Sequence, residues 1–237
     1  MLTCAILCGG LATRLRPLTE TIPKSLIPIN GRPYIAYQLE LLYSRGIRNA
    51  VLCVGHLGEK IEAFVGDGSS FGMSVSYSFD GPVLLGTGSA IRKALPLLGD
   101  AFFVLYGDSY LTCDYRAVQA YFGSAGKRGL MTIYRNVGLY DTSNIEAVDG
   151  RIIRYDKQLR TPGMQFIDYG LGLFQRAAFE DLPADRFTGL ETVYKTLLEE
   201  GELAAFEVPE RFYEIGSPAG ISDLEEYLAS GERGHAI

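Results

Sequence analysis

The sequence predicts an α/β protein: a single Rossmann-like domain in which a mostly parallel mixed sheet carries helices on both faces. Three observations lead there. Short apolar or β-branched runs alternate with amphipathic stretches through the first half, a glycine pair follows the first run directly, and the second half is richer in strand-like runs. With 237 residues, 47% of them hydrophobic and 21% charged, the chain has the size and mixture for one large core, and its 28 glycines supply tight turns.

Residues 3–7 read as the first strand, a β-branched and apolar run that stops at Gly9-Gly10. Residues 33–44 read as a helix, because Pro33 suits a first helical turn and Gly46 suits the end. Strands at 50–54, 75–79 and 102–105 alternate with helices at 57–65 and 89–98. The second half offers strands at 130–134, 145–148, 152–155, 165–174 and 204–208. Asp149-Gly150 marks a hairpin between the second and third of these. Helices at 190–200 and 218–229 close the chain. No internal repeat, low-complexity tract or linker divides it, so the second half reads as a lobe extending the same sheet. A ligand is expected at the carboxyl ends of the first strands, where open α/β sheets bind.

Charge and rare residues narrow the function. A net charge of −6 disfavours a dedicated nucleic-acid binder, so an anionic ligand needs a locally basic pocket. The apolar start at 1–7 lacks a basic flank and meets the glycine pair too soon for a signal peptide or a membrane span. No membrane partner and a cytoplasmic location are therefore expected. Cys4, Cys8, Cys53 and Cys113 sit in or beside apolar runs without C-x-x-C pairs and read as buried free thiols. Of the two histidines, His56 and His235, the latter lies in a polar tail, so chemistry built on histidine is not expected.

The most informative segment is Leu7-Cys8-Gly9-Gly10-Leu11-Ala12-Thr13-Arg14-Leu15-Arg16-Pro17-Leu18-Thr19, followed by Pro23-Lys24. Adjacent glycines after a strand let the backbone approach a ligand and turn N–H groups toward phosphate oxygens, while Arg14, Arg16 and Lys24 bring positive charge. It is a phosphate cradle without the Walker pattern or the G-x-G-x-x-G of dinucleotide folds. Further on, Asp108 follows an apolar strand and Gly107, which either presents its carboxylate at the sheet edge or caps a turn. Gly86, Thr87, Gly88 and Ser89 open a helix, with the two hydroxyls as capping candidates.

These residues resemble the signature of the sugar-1-phosphate nucleotidyltransferases, or nucleotide-sugar pyrophosphorylases, which reads roughly G-G-x-G-T-R-L-x-P-L-T followed by P-K. The resemblance covers nearly the whole chain. It implies a glycosyltransferase-A-like single domain with a nucleotide-binding half at 1–113 and a strand-rich, sugar-phosphate-binding half at 114–237. Arg14 and Lys24 would hold the triphosphate and steady the departing pyrophosphate, with Asp108 as the third catalytic residue. Leu7, Gly9, Gly10, Thr13, Gly86, Thr87 and Gly88 would complete the nucleotide site. Asp156, Lys157, Asp168, Tyr169, Gly170 and Glu191 fall where the family grips the sugar phosphate. The implied cofactor is magnesium, held by Asp108 and by Glu214, which stands where the family usually has aspartate. Ala12 also departs from the pattern, and costs on the order of 1 kcal/mol if its position needs positive φ.

The implied reaction joins a nucleoside triphosphate to a sugar 1-phosphate by direct displacement, releasing pyrophosphate without a general base. The chain looks most like short bacterial enzymes that activate heptose or mannose 1-phosphate with GTP. Related enzymes use UTP with N-acetylmuramate or glucose 1-phosphate, or use CTP, and a non-catalytic ligand-sensing module of the same fold is the reading from another class. A homo-oligomer stays open, and an appended left-handed β-helix is not expected.

Overall fold

A computed structural model describes residues 1–231 apart from 137, 184 and 185, so His235 lies outside the described residues. In the first half the elements are β1 (Thr3–Leu7), β2 (Pro28–Ile29), β3 (Arg32–Pro33), α1 (Tyr34–Ser44), β4 (Asn49–Val54), α2 (Gly58–Val65), β5 (Ser74–Phe79), α3 (Thr87–Ala94) and β6 (Ala101–Tyr106). There follow β7 (Ser109–Leu111), α4 (Tyr115–Ala125), β8 (Gly129–Arg135), β9 (Ile145–Val148), β10 (Arg151–Tyr155), β11 (Phe166–Gln175), α5 (Leu190–Glu199), β12 (Leu203–Val208), β13 (Phe212–Glu214) and α6 (Pro218–Ala229).

Strands β5, β4, β1 and β6 run parallel, and β11 enters antiparallel between β6 and β8, with β12 parallel to β8 at the far side. The β9–β10 hairpin joins β11 through the Phe166–Ile145 pair. Its turn is Asp149-Gly150, with φ of 49° and 72°, the mirror-image geometry that matches strand twist. Because β11 pairs with β6, the strand-rich half continues the same sheet.

Period-two alternation sorts the core. Cys4 and Ile6 of β1 meet Ile35, Leu39 and Leu42 of α1 on one face, and Ala5 meets Ile91 and Ala94 of α3 on the other. A third cluster joins Leu15, Ile29 and Tyr110 to Ile215, Leu224 and Leu228 beneath α6. The four cysteines are buried free thiols, and burial pushes the Cys8 and Cys113 thiols up to about 12. No helix among the described residues is long and apolar enough to cross a membrane.

The structure also departs from the sequence reading. Helix α3 stops at Ala94 and tightens into a 3₁₀ turn at Leu95–Leu97, because Pro96 has no N–H to continue the ladder. Helix α4 was not expected, although Asp114 caps it by accepting hydrogen bonds from the Arg116 and Ala117 N–H groups at 2.8 and 3.1 Å. The short β7–β13 pair was likewise absent from the expectation, and it turns out to shape the site.

Candidate active site

From β1 the chain winds outward to β4 and β5, then returns through α3 to β6 on the other side of β1. The crevice at the carboxyl ends of β1 and β6 is thus a topological switch point, the place where such sheets bind ligands. A cavity of about 610 Å³ opens there.

One wall is the loop after β1. Ala12 sits in the left-handed region at φ 46° and ψ 45°, so the position does require what glycine gives most easily. Its carbonyl accepts from the Thr19 hydroxyl at 2.9 Å and the Leu15 N–H at 3.0 Å, which hold the turn that carries Thr13 and Arg14. Lys24 begins the next 3₁₀ turn. Its ammonium lies 2.5 Å from Asp108 Oδ2, with the two side chains 19% and 33% exposed, so the pair stands at the cavity rather than in the core.

Opposite, β6 ends in a tight elbow. A Cβ on Gly107 would stand 2.4 Å from the Leu7 carbonyl oxygen, so only glycine lets the elbow press against β1. The Gly107 N–H donates to that carbonyl at 3.1 Å. Strand β13 pairs antiparallel with β7, placing Glu214 across from Ser109, and the Ile215 N–H donates to the Asp108 carbonyl at 3.0 Å. Glu214 and Asp108 therefore share one corner with Lys24 and Arg14. Burial and the Asp108 charge raise the Glu214 carboxyl above the usual carboxylate range, against the pull of Lys24 and Arg14.

Two crowded carboxylates are hard oxygen donors whose repulsion a divalent cation relieves, so the residues present fit magnesium. Among the described residues no third His, Cys, Asp or Glu joins them in a group that could hold a metal. The remaining ligands would be substrate phosphate and water.

Residues 4–139 match the family model described as nucleotidyl transferase. The chain belongs to that family. The nucleotidyl transferase fold extends beyond the matched segment: HddC from Yersinia pseudotuberculosis complexed with GMP-PN superposes with a TM-score of 0.79 at 26% identity, over 96% of this chain and all of that one. D-glycero-alpha-D-manno-heptose 1-phosphate guanylyltransferase of Campylobacter jejuni is 28% identical across 90% of this chain and 94% of its own length. UTP–glucose-1-phosphate uridylyltransferase of Synechocystis sp. is 38% identical over 46% of this chain, which spans only 31% of that protein.

Of the expected nucleotide set, Leu7, Gly9, Gly10, Thr13, Arg14, Gly86 and Thr87 line the cavity of this nucleotidyl transferase. Gly88 does not. It lies inside the first turn of α3, and its N–H donates to the Thr188 carbonyl at 2.8 Å. Thr87 has a second task, since its hydroxyl accepts from the Leu190 N–H at 2.7 Å and ties α5 to α3.

None of the expected sugar-phosphate residues lines the cavity; all but Tyr169 gather beyond Tyr106. Lys157 Nζ lies 5.5 Å from the Tyr106 ring centre and 5.9 Å from that of Tyr155. At the break in register between β11 and β8, Asp168 accepts from the Tyr155 hydroxyl at 3.5 Å and the Gly170 N–H at 3.1 Å, with Gly170 at φ 102°. Burial raises the Asp168 carboxyl despite the opposing charge of Lys157. Tyr169 departs from the expectation: strand alternation turns it the other way, and its ring packs edge-on against Phe212 in the core. Asp156 and Glu191 are joined by Lys195, whose ammonium lies 3.6 Å from the first and 2.7 Å from the second.

Sequence reasoning missed Lys195, although Glu191 and Lys195 have the i,i+4 spacing of a helical ion pair. It also missed Asp80, which follows β5 directly and precedes Gly81, much as Asp108 follows β6 after Gly107. Asp80 is buried in the cavity wall, accepts from the Leu85 N–H at 3.0 Å, and has its carboxyl raised by that burial.

Proposed function

We propose that this protein transfers a nucleotidyl group from GTP to heptose or mannose 1-phosphate, giving a nucleotide diphosphate sugar and pyrophosphate. The observation that carries the reading is the Lys24–Asp108 pair, set at the switch point between a glycine-rich cradle and a carboxylate corner. A phosphate oxygen of the sugar 1-phosphate attacks the α-phosphorus of the triphosphate, and the bond to the bridging α,β oxygen breaks as pyrophosphate leaves. The attacking oxygen is already ionised near neutral pH, so no general base is required. Arg14 and Lys24 offset the charge on the triphosphate and the leaving group, and Lys157, over the Tyr106 ring at the edge of the cavity, pairs with the phosphate of the incoming sugar phosphate. Asp108 and Glu214 would hold magnesium, which when bound supplies charge neutralisation at the phosphates. Binding of the acceptor falls to the Asp156, Lys157, Asp168, Gly170 and Glu191 cluster.

Asp80 supports guanine. A buried carboxylate offers acceptors to the N1–H and N2–H donors of guanine, whereas the uracil O4 would face it as a second acceptor. The likeness to the uridylyltransferase makes UTP the second triphosphate to test. Nucleotide sugars of this class feed cell-surface polysaccharide synthesis, and the reading places the enzyme in the cytoplasm, where its charged substrates are made.

The test is a panel of GTP, UTP, CTP and TTP against mannose, heptose, glucose and N-acetylmuramate 1-phosphates, with pyrophosphate release as readout. GTP with heptose or mannose 1-phosphate is expected to give the highest kcat/KM, and only with magnesium and both substrates present. No release with any pair would overturn the enzymatic reading and leave the ligand-sensing one.

A further inference from the structure

Helix α1 carries one polar side chain into the core. Gln38 is 1% exposed, and its amide nitrogen lies 3.0 Å from the Ser109 carbonyl oxygen and 3.2 Å from that of Tyr106. These two carbonyls flank Gly107-Asp108, so the two N–H bonds of one amide clasp both sides of the elbow. The Tyr34 hydroxyl is 3.3 Å away. Gln38 Oε1 has no hydrogen-bond partner among the described residues. A buried amide with an idle acceptor is a costly choice for a core position that leucine or methionine would fill. What the amide adds over those residues is its pair of donors.

We propose that Gln38 is a positioning residue for the carboxylate corner, fixing the elbow that aims Asp108. The inference rests on the reading of Asp108 and Glu214 as the magnesium site. Three constraints meet on the elbow. Gly107 is bonded to β1, the Asp108 carbonyl is bonded to Ile215, and Gln38 holds the carbonyls on either side. Ser109 is also the cross-strand partner of Glu214, so slack at Ser109 shifts both carboxylates together. Groups that orient metal ligands from behind commonly matter tenfold or more to metal affinity or activity.

The experiment compares the parent with Gln38→Met, which keeps the volume and removes the donors, and Gln38→Glu, which keeps the shape and retains one donor only while protonated. Manganese binding, followed by the electron paramagnetic resonance of the free ion in the presence and absence of GTP, serves as a readout that needs no turnover. The proposal expects about tenfold weaker manganese binding and at least tenfold lower kcat for Gln38→Met, with metal-free GTP affinity within about twofold of the parent. In Gln38→Glu, kcat relative to the parent should recover as pH is lowered and the glutamic acid becomes a donor. Should Gln38→Met fail to fold, this pH-dependent recovery carries the test alone. A folded Gln38→Met that melts earlier yet binds manganese and turns over as the parent does would make Gln38 a core residue only. A Gln38→Glu profile parallel to the parent's would overturn the proposal equally. Failure of the parent itself to bind manganese would overturn the metal reading first, and the positioning role with it.

Discussion

Replacing Ala12 by glycine should stabilise the protein slightly without changing its chemistry. Ala12 holds φ 46° and ψ 45°, where its methyl group crowds the following carbonyl, a conformation that costs an L-residue about 1–2 kcal/mol. Glycine relieves that crowding but gives up about 0.5–1 kcal/mol to the greater freedom of the unfolded chain. The net gain is about 0.5–1 kcal/mol, which for a domain of this size raises Tm by about 1–4 °C. The two hydrogen bonds to the residue 12 carbonyl involve no side-chain atom of Ala12 and persist, so Arg14 stays in place and kcat/KM should remain within about twofold of the parent. Differential scanning calorimetry at fixed pH and salt, alongside steady-state turnover, measures both quantities. A clear fall in Tm would refute the reasoning, since it would mean that the methyl group packs usefully or that the turn carries no steric penalty.

Lys24→Met and Asp108→Asn should each lower kcat by about a hundredfold or more with an unchanged far-UV spectrum, the first because it removes a cation fixed where phosphate charge develops and the second because it removes an anionic ligand for magnesium; wild-type rates from Lys24→Met would reject the cradle, and from Asp108→Asn the metal corner. Lys195→Met should raise the KM for the sugar phosphate several-fold by setting Asp156 and Glu191 loose, while isothermal titration with GTP alone stays unchanged; equal losses for both substrates would contradict the assignment. Asp80→Asn should narrow the preference for GTP over UTP by about tenfold or more, as expected when a charged acceptor facing two donors is lost, and kcat/KM ratios with one acceptor check it. Asp168→Asn should raise Tm near neutral pH while weakening acceptor use. Burial raises the folded-state pKa of Asp168, so its ionised form opposes folding above that pKa, and the gain from asparagine should vanish as pH falls below the unfolded value of about 3.9. A Tm gain independent of pH would contradict it.

The sheet was legible because strands such as β1 are apolar on both faces and bounded by glycine, while α1 and α6 carry their own start signals in Pro33 and Pro218. Helix α4 went unread although its signals are present: Tyr115, Val118 and Phe122, at i, i+3 and i+7, form its buried face, Asp114 caps its start, and Gly126 stands in the left-handed region at its end; its aromatic and valine content, which favours strands, masks that period. Strands β7 and β13, three residues each, are set by pairing with each other, a long-range fact no local pattern contains. The cavity at the switch point was legible because one contiguous segment, Leu7 to Leu15, supplies much of its wall. Gly88 and Tyr169 were misplaced for a shared reason: a motif names neighbours, and helix or strand geometry then decides which of them faces the ligand. Gln38 and the Lys195–Asp156 contact join groups distant in sequence that only the fold brings together, and Asp80, whose hydrogen bond to the Leu85 N–H is local, enters the cavity wall only through the fold.

The central claim, that the acceptor's own phosphate oxygen displaces pyrophosphate at the α-phosphorus, is tested most directly by isotope position. Mannose 1-phosphate bearing ¹⁸O in all its phosphate oxygens is incubated with unlabelled GTP and magnesium, and both products are analysed by mass spectrometry. The account predicts that every labelled oxygen stays in the nucleotide sugar, including the new bridge, and that the pyrophosphate carries none. Label in the pyrophosphate, or release of unlabelled pyrophosphate stoichiometric with enzyme before acceptor is added, would contradict it.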